Sequence, residues 1–315
     1  MNQEFEEKFY QIYDVVSNDV KEELKRAKGI INKYIYTIVI VSVIINLALF
    51  FIKGTSPYRT LVIALTLIFV GVIFVGSRQV YRKKYKLSVV KAILKEYMDT
   101  LEFDPDKGFP VTKYREYAFD QSFNDYYSED QISGNLPTGE RITLAEVRTK
   151  DVKVEKDKDG KEQTEETVLF HGMFGEVELH KSTSARIRLD LDSFMRKYSK
   201  DRIEIDSEEF ESYFDLSSDN RMLAMQIFTS DMIEKLLEIK NINKQYNYEL
   251  KIIGDKLVFR YKCGDLFEPP AFGIGINRER VKDYFRNIYY PVEIVRSLVE
   301  CINYAIDVEV KNIDL

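Results

Sequence analysis

The sequence predicts an α+β protein in two parts: an N-terminal antiparallel transmembrane helical hairpin with a coiled-coil-like stalk, then a cytoplasmic antiparallel-sheet domain with helices. Three features carry this reading. Two uncharged apolar runs, "YIYTIVIVSVIINLALFFI" and "TLVIALTLIFVGVIFVGS", flank the short segment "KGTSPYR". Apolar residues at steps of three and four lie on either side of that pair. Beyond residue 104, alternating segments with Gly-containing turns mix with helical stretches, without a βαβ rhythm.

The first run, Tyr34 to Ile52, would form a helix roughly 28 Å long at 1.5 Å per residue, close to the thickness of the bilayer hydrocarbon. Thr60 to Ser77 matches it. Ile and Val are abundant in both, but a strand of that length would extend roughly 60 Å, far beyond ordinary strands. A soluble core helix normally keeps a polar stripe, whereas these runs are apolar all round. Each holds about a dozen Leu, Ile, Val and Phe, at roughly −0.3 to −0.6 kcal/mol apiece for insertion, so both should insert despite Asn46. Asn46 is expected to bridge the two helices, since a lone amide in a span usually serves as interhelical glue. No ionisable residue lies in either run, so neither a proton relay nor a charged transport path is implied.

Basic residues set the orientation. Lys21, Lys25, Arg26, Lys28 and Lys33 precede the first run, and Arg78, Arg82, Lys83, Lys84, Lys86, Lys91 and Lys95 follow the second. The intervening loop has only Lys53 and Arg59, with Gly54 and Pro57 as its breaks. By the positive-inside rule both termini are cytoplasmic and the loop is external. The expected division is 1–33 cytoplasmic amphipathic helix, 34–52 first span, 53–59 external loop, 60–77 second span, 78–103 juxtamembrane stalk helix and 104–315 cytoplasmic domain. The polar residues before the first run do not resemble a signal peptide, so a retained anchor is expected.

Phe5, Phe9, Ile12, Val16, Val20, Leu24, Ala27 and Ile31 fall on one helical face. Leu87, Val90, Leu94, Tyr97 and Leu101 alternate steps of three and four, a coiled-coil spacing. The two extensions of an antiparallel pair emerge together, so each can bury its stripe on the other. Packing onto the soluble domain or the lipid surface is the alternative.

Residues 1–87 hold 13 Lys or Arg and 7 Asp or Glu, leaving 33 basic and 45 acidic residues for the remainder. An acidic body is a poor match for nucleic acid or an anionic leaflet, so no nucleic-acid partner is expected. The basic juxtamembrane cluster suits contact with lipid headgroups. Cys263 and Cys301 have no framework spacing and fit a reducing compartment.

In the larger part, "FDPDKGFP" ends the stalk. "RITLAEVRTKDVKVEK" and "TEETVLFHGMFGEVELHK" flank "DKDG", where Asp159-Gly160 signals a hairpin turn. "ARIRLDLD" alternates as a half-buried strand. "YNYELKIIGDKLVFRYK" reads as a second hairpin turning at Gly254-Asp255. A helix capped by Ser230 or Asp231 covers "SDMIEKLLEIKNINK", and a final helix is expected to open at Pro291 with a stripe of Val295, Leu298, Val299 and Ile302.

The order "YSEDQISGNL", "VLFHGMFGEVELHK", "IEIDSEEFESYFDLSSDNRMLAMQIFTSDMIEKLLEI", "LKIIGDKLVFRY" and "DLFEPP" resembles the bacterial family known as domain of unknown function 3137. The most specific pieces are Phe170-x-Gly172-x-Phe174, Glu209-Phe210 to Phe214 leading into Ser218-Asp219, and Leu266-Phe267-Glu268-Pro269. The likeness runs over roughly residues 30 to 270, with the final helices less typical. It implies a two-helix membrane anchor in a bacterial inner membrane. It implies no activity and no site residue.

No catalytic, cofactor or metal residue is assigned. His171 and His180 sit nine apart, on opposite faces of a regular strand, so a site using them with Glu176 or Glu178 lacks convergence. Neither cysteine has a histidine nearby, and GxSxG is absent. "GIGIN", Gly273 to Asn277, lacks the third glycine and the Lys-Ser/Thr of a phosphate loop. "YREYAFDQSF" and "DYYSED" could present an aromatic recognition surface, though most such rings belong to cores. The function expected is a noncatalytic membrane-anchored binding or scaffold module with a protein or peptide partner. The alternatives are an enzyme acting on a membrane-derived substrate and a subunit of an oligomeric assembly.

Overall fold

A computed structural model describes residues 2–52, 54–95, 98, 100–117, 119, 122–156, 162–192, 200–242, 247–265, 267 and 278–313. The chain divides into two compact units. One holds Lys8–Val90 and Glu268–Val281, the other Met1–Glu7, Lys91–Phe267 and Lys282–Leu315.

The first unit is built on α1 (Asn2–Phe50) and α2 (Ser56–Leu94). Both helices are long and apolar enough to cross a membrane, and no residue in the apolar window of either is buried. That exposure is unlike the core helix of a soluble protein. The break between them is shorter than the 53–59 loop expected. Gly54 takes φ +86°, the Thr55 hydroxyl lies 2.8 Å from the Ile52 carbonyl, and Pro57 falls in the first turn of α2, where a missing N–H costs nothing. Lys53 lies outside the described residues.

The contact between the helices departs from expectation. Asn46 Nδ2 donates to the Ser42 carbonyl of its own helix at 2.9 Å, so the amide serves α1 alone. The bridge is made by two hydroxyls, Ser42 Oγ and Thr66 Oγ1, 2.7 Å apart.

Helix α2 stops at Leu94, and Thr100–Asp104 forms strand β1, so the stalk helix does not run to 103. Leu101 therefore lies in a sheet rather than on a coiled-coil seam, because its backbone pairs with a neighbouring strand. Tyr97 lies outside the described residues. The stripe of α1 also finds another partner at its start. The Phe5 ring lies 5.2 Å from Phe285 and 5.4 Å from both Tyr289 and Tyr290 of α7 (Arg278–Ile313), and Glu6 pairs with Lys282 at 2.5 Å. This is packing on the C-terminal helix rather than on the extension of α2. The side chains of Val16, Val20, Leu24 and Ala27 lie outside the described residues.

The second unit is an antiparallel sheet with helices. After β1 come α3 (Val111–Glu116), β2 (Asp125–Asn135), β3 (Arg141–Lys156) and β4 (Glu162–Leu191). Then follow β5 (Arg202–Ile203), α4 (Glu208–Glu211), β6 (Phe214–Ser218), α5 (Arg221–Ile227), α6 (Ser230–Ile242), β7 (Asn247–Lys262) and α7. The strand order is β1-β2-β3-β4-β6-β5, with β7 against β4.

The expected hairpin at Gly254-Asp255 is present within β7. Tyr248 stacks on Phe259 at 5.8 Å, and Glu249 meets Arg260 at 2.5 Å. A straight strand would hold such residues roughly 36 Å apart. Gly254 supplies the turn with φ +60°. Strand β4 clasps this ribbon from both sides: its residues 172–178 pair with 256–262, and 187–189 pair with 250–252. The intervening residues of β4 pass around the ribbon's tip through two register shifts. The turn proposed at Asp159-Gly160 lies outside the described residues, but β3 and β4 pair from Lys156↔Glu162 to Arg141↔Glu178, as that turn requires.

Pairing sorts the side chains by face. On one face Ile142, Leu144, Val177, Leu250, Leu257 and Phe259 are all buried, an unbroken apolar floor. Gly175 belongs to it because a Cβ there would lie 2.4 Å from the Phe259 ring. The other face carries Ala145, Val147, Phe170, Phe174 and Val258 beneath Phe109, Tyr114 and Phe123. Helix α7 is buried along nearly its whole middle. It begins at Arg278 and runs through Pro291, rather than opening there as expected. The cap of α6 is Thr229, whose hydroxyl accepts from Met232 N at 3.4 Å, not Ser230 or Asp231.

Candidate functional site

The helical pair borders a cleft of about 430 Å³ between α1 and α2. Helix α1 contributes Arg26, Ile30 and Tyr34, and α2 contributes Ile73, Tyr81 and Lys84. Apolar side chains line the middle and cations stand toward one end. Gly76 opens the wall of α2, and a Cβ there would meet nothing within 4 Å. Burial pushes the Tyr81 hydroxyl up to about 12 and raises that of Tyr85 as well. Both phenols stay protonated.

In the sheet unit, Glu146 Oε1 and Asp265 Oδ1 each lie 3.2 Å from His171 Nε2. Register explains the convergence. Glu146 faces Met173 across the β3–β4 ladder, which puts it diagonal to His171 on the same face. Asp265 follows the end of β7, held by Gly264 N donating to the His171 carbonyl at 3.1 Å. These three residues could hold a metal ion, and a second group, Glu129, Asp130 and Glu146, shares the central carboxylate. Asp130 sits at the bulge in β2 with φ +59°. Sequence reasoning missed this set.

The carboxylate it weighed as a ligand, Glu176, is engaged otherwise. Its oxygens take the Tyr117 hydroxyl, Lys256 at 3.3 Å and Lys113 at 3.4 Å. Burial pushes the Glu176 pKa up, but Tyr117 and the two lysines outweigh it and hold the carboxyl below its ordinary value. His180 stands apart from His171, 3.3 Å from the Thr138 carbonyl and 3.6 Å from Glu140. The two histidines do not converge.

Next to Glu176, the same face carries a row of charges. Glu249 pairs with Arg260, Arg188 with Asp190, and Arg202 with Asp215 and Glu211. Lys251 lies among them, its Nζ donating to the Tyr117 carbonyl at 2.6 Å and lying 4.5 Å from the Phe119 ring. Burial, with Arg188 alongside, lowers its pKa to about 8. Charges taken from water are tolerated when paired in this way.

The aromatic segments are core. Tyr114 and Phe123 are buried, with Tyr114 packing on both Phe174 and Phe123, while Tyr127 of "DYYSED" is about half exposed. Both thiols are pushed up by burial, Cys263 strongly. "GIGIN" and Leu266, Glu268 and Pro269 lie outside the described residues.

Comparison with known proteins gives a domain without a known activity. The model of the family described as "Protein of unknown function (DUF3137)" matches residues 168–299. That match covers less than half of the chain, so the likeness is to this segment alone. The match starts further along than the resemblance seen in the sequence and extends into α7 as far as residue 299. No curated protein matches. A solved structure, the mycobacterial trehalose monomycolate transport factor A, TtfA, aligns at 8% identity over 66% of this chain and 92% of that one, with a TM-score of 0.34. A likeness that loose carries no argument.

Proposed function

We propose that the chain is a noncatalytic binding or scaffold module anchored in the bacterial inner membrane, with spans at 34–52 and 60–77, residues 53–59 outside, and 1–33, 78–103 and 104–315 in the cytoplasm. The observation that carries it is that no residue of either apolar window is buried, while the sheet unit has a core of its own. Lipid is the solvent that makes such exposure favourable.

The partner proposed is a protein or peptide, docking on the arm where β3 and β4 extend beyond the core. There Val154 and Val168 are exposed and share a face with Val152, while Lys153, Glu155 and Glu165 occupy the other. The three valines share that face with the Lys150–Glu166 ion pair, and a ribbon with exposed apolar and charged groups suits sheet-edge recognition.

Topology is tested by Ser56→Cys in the full chain. An impermeant thiol reagent applied to intact cells should label it, and Lys153→Cys should stay unlabelled until the cells are opened. The reverse pattern would invert the assignment. The raised pKa values of Cys263 and Cys301 keep the background low.

The second reading, an enzyme acting on a membrane-derived substrate, is favoured by the Glu146, His171 and Asp265 convergence. It requires that zinc or manganese bind the purified full chain and that His171→Ala abolish binding. Absence of saturable binding in the parent protein removes it.

A further inference from the structure

We infer that the cleft between α1 and α2 is a binding site for one anionic glycerophospholipid of the inner leaflet, its phosphate at Arg26 and Lys84 and an acyl chain along Ile30, Ile73 and Gly76. This rests on the membrane reading above and goes beyond it, since an anchor needs no lipid site of its own.

Position is the first ground. The cytoplasmic ends of the spans are Tyr34 and Ser77, and the cleft crosses that level on both helices. Along α1 it reaches back to Arg26, about 12 Å at 1.5 Å per residue. Ile73 and Gly76 thus lie at hydrocarbon depth and Arg26 and Lys84 at headgroup depth. Any molecule filling the cleft meets an apolar wall at one end and two cations at the other.

Shape and charge narrow the occupant. A volume of about 430 Å³ falls in the range of small-molecule sites and is bounded by helices that touch elsewhere through Ser42 and Thr66. Ile31, Tyr81 and Tyr85 are buried while Ile30 and Tyr34 remain more than half exposed, so one flank is built and the other is open to a ligand arriving from the lipid side. Arg26 lies 3.9 Å from Glu22 in a surface pair with both side chains about three-quarters exposed, a water-screened contact that a phosphate can compete with. A zwitterionic lipid offers its phosphate together with a repelled ammonium. An anionic one does not.

The test uses the full-length chain in vesicles of equimolar phosphatidylcholine and phosphatidylglycerol, extracted mildly, with bound lipids counted by native mass spectrometry. The parent protein should retain phosphatidylglycerol in preference to phosphatidylcholine. Arg26→Ala and Lys84→Ala should each lower that preference roughly fivefold, the effect of one interfacial charge. Gly76→Leu keeps every charge and fills the cleft, and it should abolish retention of either lipid. Lys33→Ala and Arg78→Ala, at similar depth but outside the cleft, should change nothing.

Retention unchanged in Gly76→Leu, or losses in Lys33→Ala and Arg78→Ala equal to those in the cleft variants, would reduce the effect to a diffuse basic collar and overturn the site. A lipid-free dimer would do the same by giving the cleft to a second copy. Resistance to alkaline extraction, read on the same samples, separates the two levels. Release from the vesicles defeats the membrane reading itself, whereas a retained chain without bound phosphatidylglycerol defeats only the cleft.

Discussion

The helical pair and the sheet unit handle polar groups in opposite ways. In the apolar runs of the helices Thr37, Asn46, Thr60 and Thr66 each donate to a carbonyl of their own helix, Thr66 also meets the Ser42 hydroxyl across the gap, and no charge is present. In the sheet, charges are buried in number, and Arg202 meets Asp215, Lys256 meets Glu176 and Arg260 meets Glu249 across neighbouring strand segments. A single chain therefore folds under two rules: satisfy polar groups locally along long apolar helices, and pair charges laterally where a sheet can hold them.

The largest effect should come from removing a sheet-core ring. Phe174 lies 4.7 Å from Phe109 and 4.8 Å from Tyr114, so Phe174→Ala should cost about 4 kcal/mol in denaturant unfolding of the detergent-solubilised chain. Ile68→Ala, on an exposed helix face, should leave that transition in place. Equal losses would break the contrast between the regions.

Glu176→Gln should cost about 2 kcal/mol by leaving Lys113 and Lys256 without their carboxylate. Because the folded pKa of Glu176 is depressed, its contribution is present above the unfolded carboxyl value, about 4.3, and is lost as pH falls through the folded one. Acid unfolding curves of parent and variant should therefore converge at low pH.

Lys251→Met should stabilise the sheet by about 1 kcal/mol at neutral pH, since a buried ammonium is exchanged for an apolar chain. The folded lysine loses its proton near pH 8, earlier than the unfolded one near 10.4, so the unfolded state binds more protons between those values. Parent stability then rises with pH, and the advantage of the variant should shrink toward pH 10. A constant gap would show that Lys251 does not titrate there.

The smallest effect belongs to the spans. Ser42→Ala removes the interhelical hydroxyl pair and should weaken the hairpin by about 0.6 kcal/mol, measured by steric trapping in bilayers.

The two long apolar helices were legible because length and uniform apolarity leave few other folds, and the Gly254 hairpin because a two-residue turn divides two alternating runs. The start of α7 was misread: Pro291 signals a helix opening, yet the buried face on both sides of it carries the helix through. The stalk was misread because stripes at steps of three and four specify a buried face but not its partner, and Phe5 found α7. The Glu146, His171 and Asp265 set was hidden by sequence distance. A signal for two of the three did exist, since a hairpin centred on Asp159-Gly160 places Arg148 opposite His171, and Glu146 follows two residues on. Nothing in the spacing of Asp265 pointed to them, because its place depends on how β4 clasps the β7 ribbon.

That clasp has a cost during synthesis. The first flank of β4, starting at Gly172, waits for its last partner, Lys262, about ninety residues later. At 5–20 residues per second the ribosome needs roughly 5 to 18 s to supply it. Throughout that interval the nascent chain displays an unpaired strand edge, the state most open to mispairing with other chains.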